Sequence, residues 1–98
     1  MPEYIYLIHP YRHELAFHPT PEEEAILSEH LAYLQRAASE GVLVLAGPSL
    51  DGIFGVAIFR AENEPAAEQF MFDDPAVKGG LMAAELHPFR VSVTGTFS

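Results

Sequence analysis

Residues 29–48 read EHLAYLQRAASEGVLVLAGP, and they join a helix to a strand through a single glycine. Ile26, Leu27, His30, Leu31, Leu34, Ala37 and Ala38 recur at three- and four-residue spacings, which places them on one face of a helix. Gly41 tolerates the left-handed conformation that closes a helix, and Val42–Ala46 then reads as a strand. His30 is the anomaly in the apolar stripe. A buried imidazole costs free energy unless its nitrogens find partners. Its environment must therefore supply either a structural hydrogen bond or a chemical role.

Upstream, TPEEE at 20–24 supplies the helix start. Thr20 suits the N-cap, Pro21 the first helical position, and Glu23 the return half of a capping box. Acidic side chains also favour this positive end of the helix dipole. The helix is expected to run from there to about Glu40. Before it, residues 4–9 (YIYLIH) read as a strand ended by Pro10, and residues 11–19 as a loop. After residue 46, GPSLDG at 47–52 is turn chemistry, and IFGVAIFR at 53–60 is a third strand.

Asn63 is positioned to cap a second helix over 64–72. Asp74 before Pro75 opens a further helical turn, closed by Gly79 and Gly80. Residues 87–93 alternate Phe89, Val91 and Val93 against Arg90 and Ser92, and read as a fourth strand that begins a few residues earlier.

The order strand, helix, strand, strand, helix, strand predicts an α+β, ferredoxin-like βαββαβ domain over residues 1–98. Right-handed crossovers put both helices on one face of a four-stranded antiparallel sheet. The strands, however, are apolar on both sides: Tyr4, Tyr6 and Ile8 oppose Ile5 and Leu7, and Phe54, Val56 and Ile58 oppose Ala57 and Phe59. Strand two is expected to place Val42, Val44 and Ala46 on one side and Leu43 and Leu45 on the other. An open apolar sheet face would exceed the ~300–600 Å² of a typical monomer's largest patch. A two-fold homodimer stacking sheet on sheet is the simplest remedy.

The formal net charge of −9, with only five Lys and Arg scattered along the chain, argues against binding nucleic acid or an anionic membrane surface. No apolar run approaches the ~20 residues of a membrane-spanning helix, and the amino terminus lacks the features of a secretory signal. The absence of cysteine removes disulfides, thiol catalysis and thiolate metal sites, and fits a cytoplasmic protein. His9, His13 and His18 cluster around a Pro-flanked loop, but their spacing matches no metal-ligand motif, so no metal is expected. Gly79-Gly80 lacks the Lys-Ser/Thr of a phosphate loop.

HLAYLQRAASEGVLVLAGP (30–48) followed by DDPAVKGGLMAAELHPFRV (73–91) resembles the YCII-related (YciI-like) family. The matching positions are the helical His30, Gly41, Gly47-Pro48, Asp74-Pro75 and Gly80. The resemblance implies a dimeric α+β barrel of ferredoxin-like protomers and an active-site pair of His30 and Asp74. Relatives of this fold include muconolactone isomerases and a chloromuconolactone dehalogenase, which use no metal or organic cofactor. It therefore implies a cofactor-independent enzyme acting on a small molecule by proton transfer, as an isomerase or a dehalogenase/lyase on a lactone or unsaturated acid.

A carboxylate beside an imidazole fixes its tautomer and stabilises the imidazolium formed when the ring takes a proton. Each residue also has a plainer reading: His30 bonded to a backbone carbonyl, Asp74 as the N-cap of the turn at Pro75. Gly47, Pro48, Ser49 and His9 are the expected substrate-binding positions, since loops at sheet ends carry function. Ser49 has no nucleophile-elbow context and is not expected to be a nucleophile. The alternative to an enzyme is a non-catalytic module that binds a small ligand in the same pocket.

Overall fold

The computed structural model describes residues 1–95. Strand β1 (Glu3–Pro10) is followed by a 3-10 turn (His13–Ala16), helix α1 (Pro21–Ser39), and strands β2 (Leu43–Pro48) and β3 (Gly55–Arg60). Helix α2 (Glu64–Phe72), the single-turn α3 (Pro75–Lys78) and strand β4 (Met82–Phe89) complete the order. The sheet order is β2-β3-β1-β4 and every neighbouring pair is antiparallel. This is the ferredoxin-like α+β arrangement expected from the element order.

Local chemistry accounts for the helix ends. Thr20 Oγ1 accepts from the Glu23 backbone N–H at 3.2 Å, and Glu23 Oε1 accepts from the Thr20 N–H at 2.9 Å, completing the capping box. Gly41 takes φ +77°, which L side chains adopt at a cost, and the chain turns there into β2. Asn63 Oδ1 accepts from the Ala66 N–H at 3.0 Å and starts α2.

The strand boundaries differ from the expectation at β2, at β4 and at β3, which starts at Gly55 and not at Ile53. β4 ends at Phe89, so Val91 and Val93 lie beyond it. Its ladder with β1 runs from Glu3↔Phe89 to Pro10↔Met82, and past Glu3 the fourth strand has no partner left. Pro88 is accommodated because β4 is an edge strand. In β2 the ladder shifts register between Leu43 and Leu45, so strict alternation fails there. Leu43 packs against the core, while Leu45, expected on the same side of the strand, is exposed. Gly47 and Pro48 are ladder residues opposite Val56 and Gly55, not turn residues.

Tyr4, Tyr6, Ile8, Ala57 and Phe59 point from β1 and β3 into the core beneath the helices, where Leu34, Ala67 and Met71 meet them. An aromatic cluster sits at its centre. The Tyr6 and Phe59 rings meet edge to face at 5.6 Å, Phe59 and Phe70 lie 4.5 Å apart, and Tyr33 stacks on Phe70 at 5.1 Å. Each such pair contributes about 0.5–1.5 kcal/mol beyond its buried area. The cluster thereby fixes the direction of the Tyr6 ring.

On the other sheet face Ile5, Leu7, Val56 and Ile58 are half-buried and Leu45 is exposed. β4 narrows the apolar surface by presenting Glu85 and His87 on that side, opposite Leu7 and Ile5, although Phe89 at its end shares the face. Among the described residues no helix is long and apolar enough to cross a membrane.

Candidate active site

His30 comes from the middle of α1 and Asp74 from the link between α2 and α3. The His30 Nδ1 lies 2.6 Å from Asp74 Oδ1. Asp74 is completely buried, while the His30 side chain is 16% exposed. A buried carboxylate needs its oxygens satisfied, and this one is. Oδ1 also accepts from the Ala76 backbone N–H at 3.0 Å, and Oδ2 accepts from the Tyr6 hydroxyl at 2.7 Å. Asp74 is thus both the N-cap of α3 and the partner of His30, so the two readings of it are compatible.

This network decides the tautomer. Tyr6 and Ala76 both donate to the carboxylate, which acts as an acceptor, so His30 Nδ1 carries a hydrogen toward it. In the neutral ring Nε2 is then the free acceptor. Nε2 has no protein partner, and no buried side-chain nitrogen or oxygen among the described residues is unpaired, so Nε2 is open to its surroundings. Burial raises the Tyr6 phenol well above its ordinary value, and the charge and hydrogen bond of Asp74 raise it further. Tyr6 therefore remains a donor across the accessible pH range.

The surroundings are an apolar cavity of about 480 Å³ lined by His30. Leu27, Leu31 and Leu34 of α1 form one wall, and Ala46–Pro48 of β2 with Gly55 of β3 form another. Leu15 of the 3-10 turn and Phe54 also line it. Leu31 is 55% exposed although it belongs to the apolar stripe, because it faces this space instead of the packed core. A β-carbon on Gly55 would lie 3.1 Å from Ile8 Cγ1, so glycine lets β1 and β3 close up behind the cavity.

The 3-10 turn is held by a polar cluster at the start of α1. Glu23, only 6% exposed, is paired with Arg12 Nη2 through Oε1 at 2.5 Å and accepts from the Tyr11 hydroxyl through Oε2. Arg12 also donates to the His18 carbonyl at 2.8 Å. The Arg12 hydrogen bonds, then that of Tyr11 and the Thr20 N–H, hold the Glu23 carboxyl down at about 2.

Of the residues expected to bind substrate, Gly47 and Pro48 line the cavity; Ser49 and His9 do not. Ser49 Oγ is consumed by the turn, donating to Asp51 Oδ1 at 2.7 Å and accepting from the Phe54 N–H at 3.0 Å. His9 follows the alternation of β1 onto the opposite sheet face, where its Nε2 lies 3.5 Å from Glu85 Oε1. His87 Nε2 lies 3.2 Å from the other oxygen of Glu85. Among the described residues no group of three or more His, Asp or Glu side chains is placed to hold a metal ion. Tyr6 is the residue that sequence reasoning missed. Its signal was a tyrosine at an inward position of a strand, since a buried phenol requires a partner for its hydroxyl.

No curated protein is similar enough in sequence to match this chain. Among solved structures, the fold resembles 5-chloro-2-hydroxyhydroquinone dehydrochlorinase (TftG) from Burkholderia phenoliruptrix AC1100, in its complex with 2,5-dihydroxybenzoquinone. The TM-score is 0.70 at 20% identity, covering 90% of this chain and 93% of that one. At that identity the likeness is one of fold. The pattern of the YCII-related domain matches residues 4–90, nearly the whole described chain. The chain belongs to the YCII-related domain family.

Proposed function

We propose that this protein is a cofactor-independent enzyme that moves a proton on a small molecule bound in the cavity beside His30. The observation that carries the reading is the 2.6 Å contact of His30 Nδ1 with a fully buried Asp74, which leaves Nε2 free at an apolar cavity. His30 Nε2 takes a proton from carbon or oxygen next to a carbonyl, and the imidazolium returns it at another atom or remains while a leaving group departs. The first course is isomerisation of a lactone-like or unsaturated substrate; the second is elimination, such as loss of halide. Asp74 holds the ring in register and compensates its positive charge. Gly47 and Pro48 contribute to the substrate wall. That a dehydrochlorinase shares the fold is in keeping with the eliminating course.

The same reading includes a homodimer. Ile5, Leu7, Leu45, Val56 and Ile58 share the sheet face away from the helices, and a second copy stacked on it removes them from water. Light scattering at micromolar concentration should give twice the mass of one chain.

The test of the chemistry is solvent exchange. The protein is incubated in deuterium oxide with a pool of lactones and unsaturated carbonyl compounds, and deuterium uptake or halide release is followed by NMR. Uptake that disappears in both His30→Ala and Asp74→Ala supports the reading. Uptake that survives both substitutions in folded protein removes it, and saturable binding without uptake identifies a binding module instead.

A further inference from the structure

The cavity walls carry an electrostatic message that the His–Asp pair alone does not. Among the described residues the lining includes no Lys, Arg, Asp or Glu, and its polar side chains are Tyr6, His30 and Gln35. The Tyr6 hydroxyl is already committed to Asp74. His30 Nε2 and the Gln35 amide are what remain to meet a ligand. Leu27, Leu31, Leu34, Leu43, Phe54 and Met82 make the rest of the surface strongly apolar.

Resting on the reading of His30 as the acid–base group, we infer that the substrate is an uncharged, ring-sized molecule, and that carboxylates are rejected. An anion entering this space gives up water, and an ionised carboxylate in an apolar site is strongly disfavoured unless it is paired. The walls supply no cation to pair it. Protonated His30 does not serve, because its charge is already matched by the buried Asp74 at 2.6 Å, so the pair is neutral as a unit. With His30 unprotonated, the pair carries a net negative charge. The site is thus neutral or negative in either state, within a chain of formal charge −9. A neutral ring loses little on entering and gains from the burial of apolar surface. The volume of about 480 Å³ falls within the ~300–1,000 Å³ of small-molecule pockets. Of the two substrate types considered above, this keeps the lactone and sets aside the free unsaturated acid.

The test uses 4-methylbenzamide and 4-methylbenzoate, which match in shape and differ in charge at neutral pH. Each is titrated into isotope-labelled protein while the amide resonances of Leu31, Leu34 and Gly47 are followed. The amide should bind at least tenfold more tightly than the carboxylate. Gln35→Arg, which places a cation at the mouth without touching His30 or Asp74, should strengthen carboxylate binding by about tenfold and so narrow the preference for the amide. Equal or tighter binding of the carboxylate by the natural protein overturns the inference. So does saturable binding of neither compound at the cavity, or carboxylate affinity that does not respond to Gln35→Arg. The comparison reads binding alone. Charge selection without any solvent exchange would leave this inference standing and remove the catalytic reading, while exchange on a carboxylate substrate would do the reverse.

Discussion

Asp74 Oδ2 accepts the Tyr6 hydroxyl at 2.7 Å, although 68 residues separate the two in the chain. The bond ties the central strand to the link between α2 and α3, and it holds the carboxylate that faces His30. The phenol is a positioning group: it acts on His30 only through Asp74.

Tyr6→Phe should therefore affect stability and site geometry together. Removing the hydroxyl leaves a buried carboxylate oxygen without its donor, at a cost of about 1–3 kcal/mol in folding free energy. Chemical denaturation of wild type and variant measures it. If turnover is found, kcat should fall while KM changes little, since the ligand does not need the Tyr6 hydroxyl for binding; a change confined to stability would show that the phenol has only a structural part.

His30→Gln retains a side-chain donor of similar reach toward Asp74 but removes the imidazole. General acid–base groups contribute about 10²–10⁴-fold. A loss of that size in exchange or turnover, with the thermal midpoint nearly kept, is the expected outcome. Retention of activity within a few-fold of wild type would dismiss His30 as the proton carrier.

Acid should weaken the anchor of the 3-10 turn in a defined window. Arg12 and Tyr11 pull the Glu23 carboxyl from about 4.5 down to about 2 in the folded protein. A depressed acid contributes stability that is present above its unfolded value and is lost as pH falls through its folded value. The wild-type advantage over Glu23→Gln in thermal midpoint should be full above about pH 5 and fade toward about pH 2. An advantage that does not vary with pH would show that the pair is not proton-linked to folding.

Gly79→Ala probes the turn that carries Asp74. An added β-carbon would lie 2.8 Å from the Pro75 carbonyl oxygen and 3.3 Å from Ile26 Cγ2. The first contact is with backbone, so α3 must shift, and overpacking of this kind costs about 1–3 kcal/mol. A lowered thermal midpoint should accompany altered His30 ring resonances, because the same turn sets Asp74. An unchanged midpoint would mean that α3 yields freely.

The fold was largely legible because its signals are local. TPEEE announces the start of α1, Gly41 its end, and Asn63 the start of α2, each through hydrogen bonds made within a few residues. Alternation in β1 separates Tyr4, Tyr6 and Ile8 from Ile5 and Leu7 before any pairing is known. Where a partner strand sets the outcome, sequence reading fell short. The register shift in β2 and the end of β4 at Phe89 depend on ladders with β3 and β1.

For the candidate site, the sequence by itself determined that His30 stands in an apolar stripe and that Asp74 precedes a helix-starting proline, because both are matters of local spacing. It also determined which side of β1 carries Tyr6. Only the tertiary structure decided that these three side chains meet, that Ser49 is spent on its own turn, and that His9 faces away from the cavity. The physical reason is distance along the chain: hydrogen bonds across 44 and 68 residues depend on how the helices settle on the sheet, and no local periodicity encodes that.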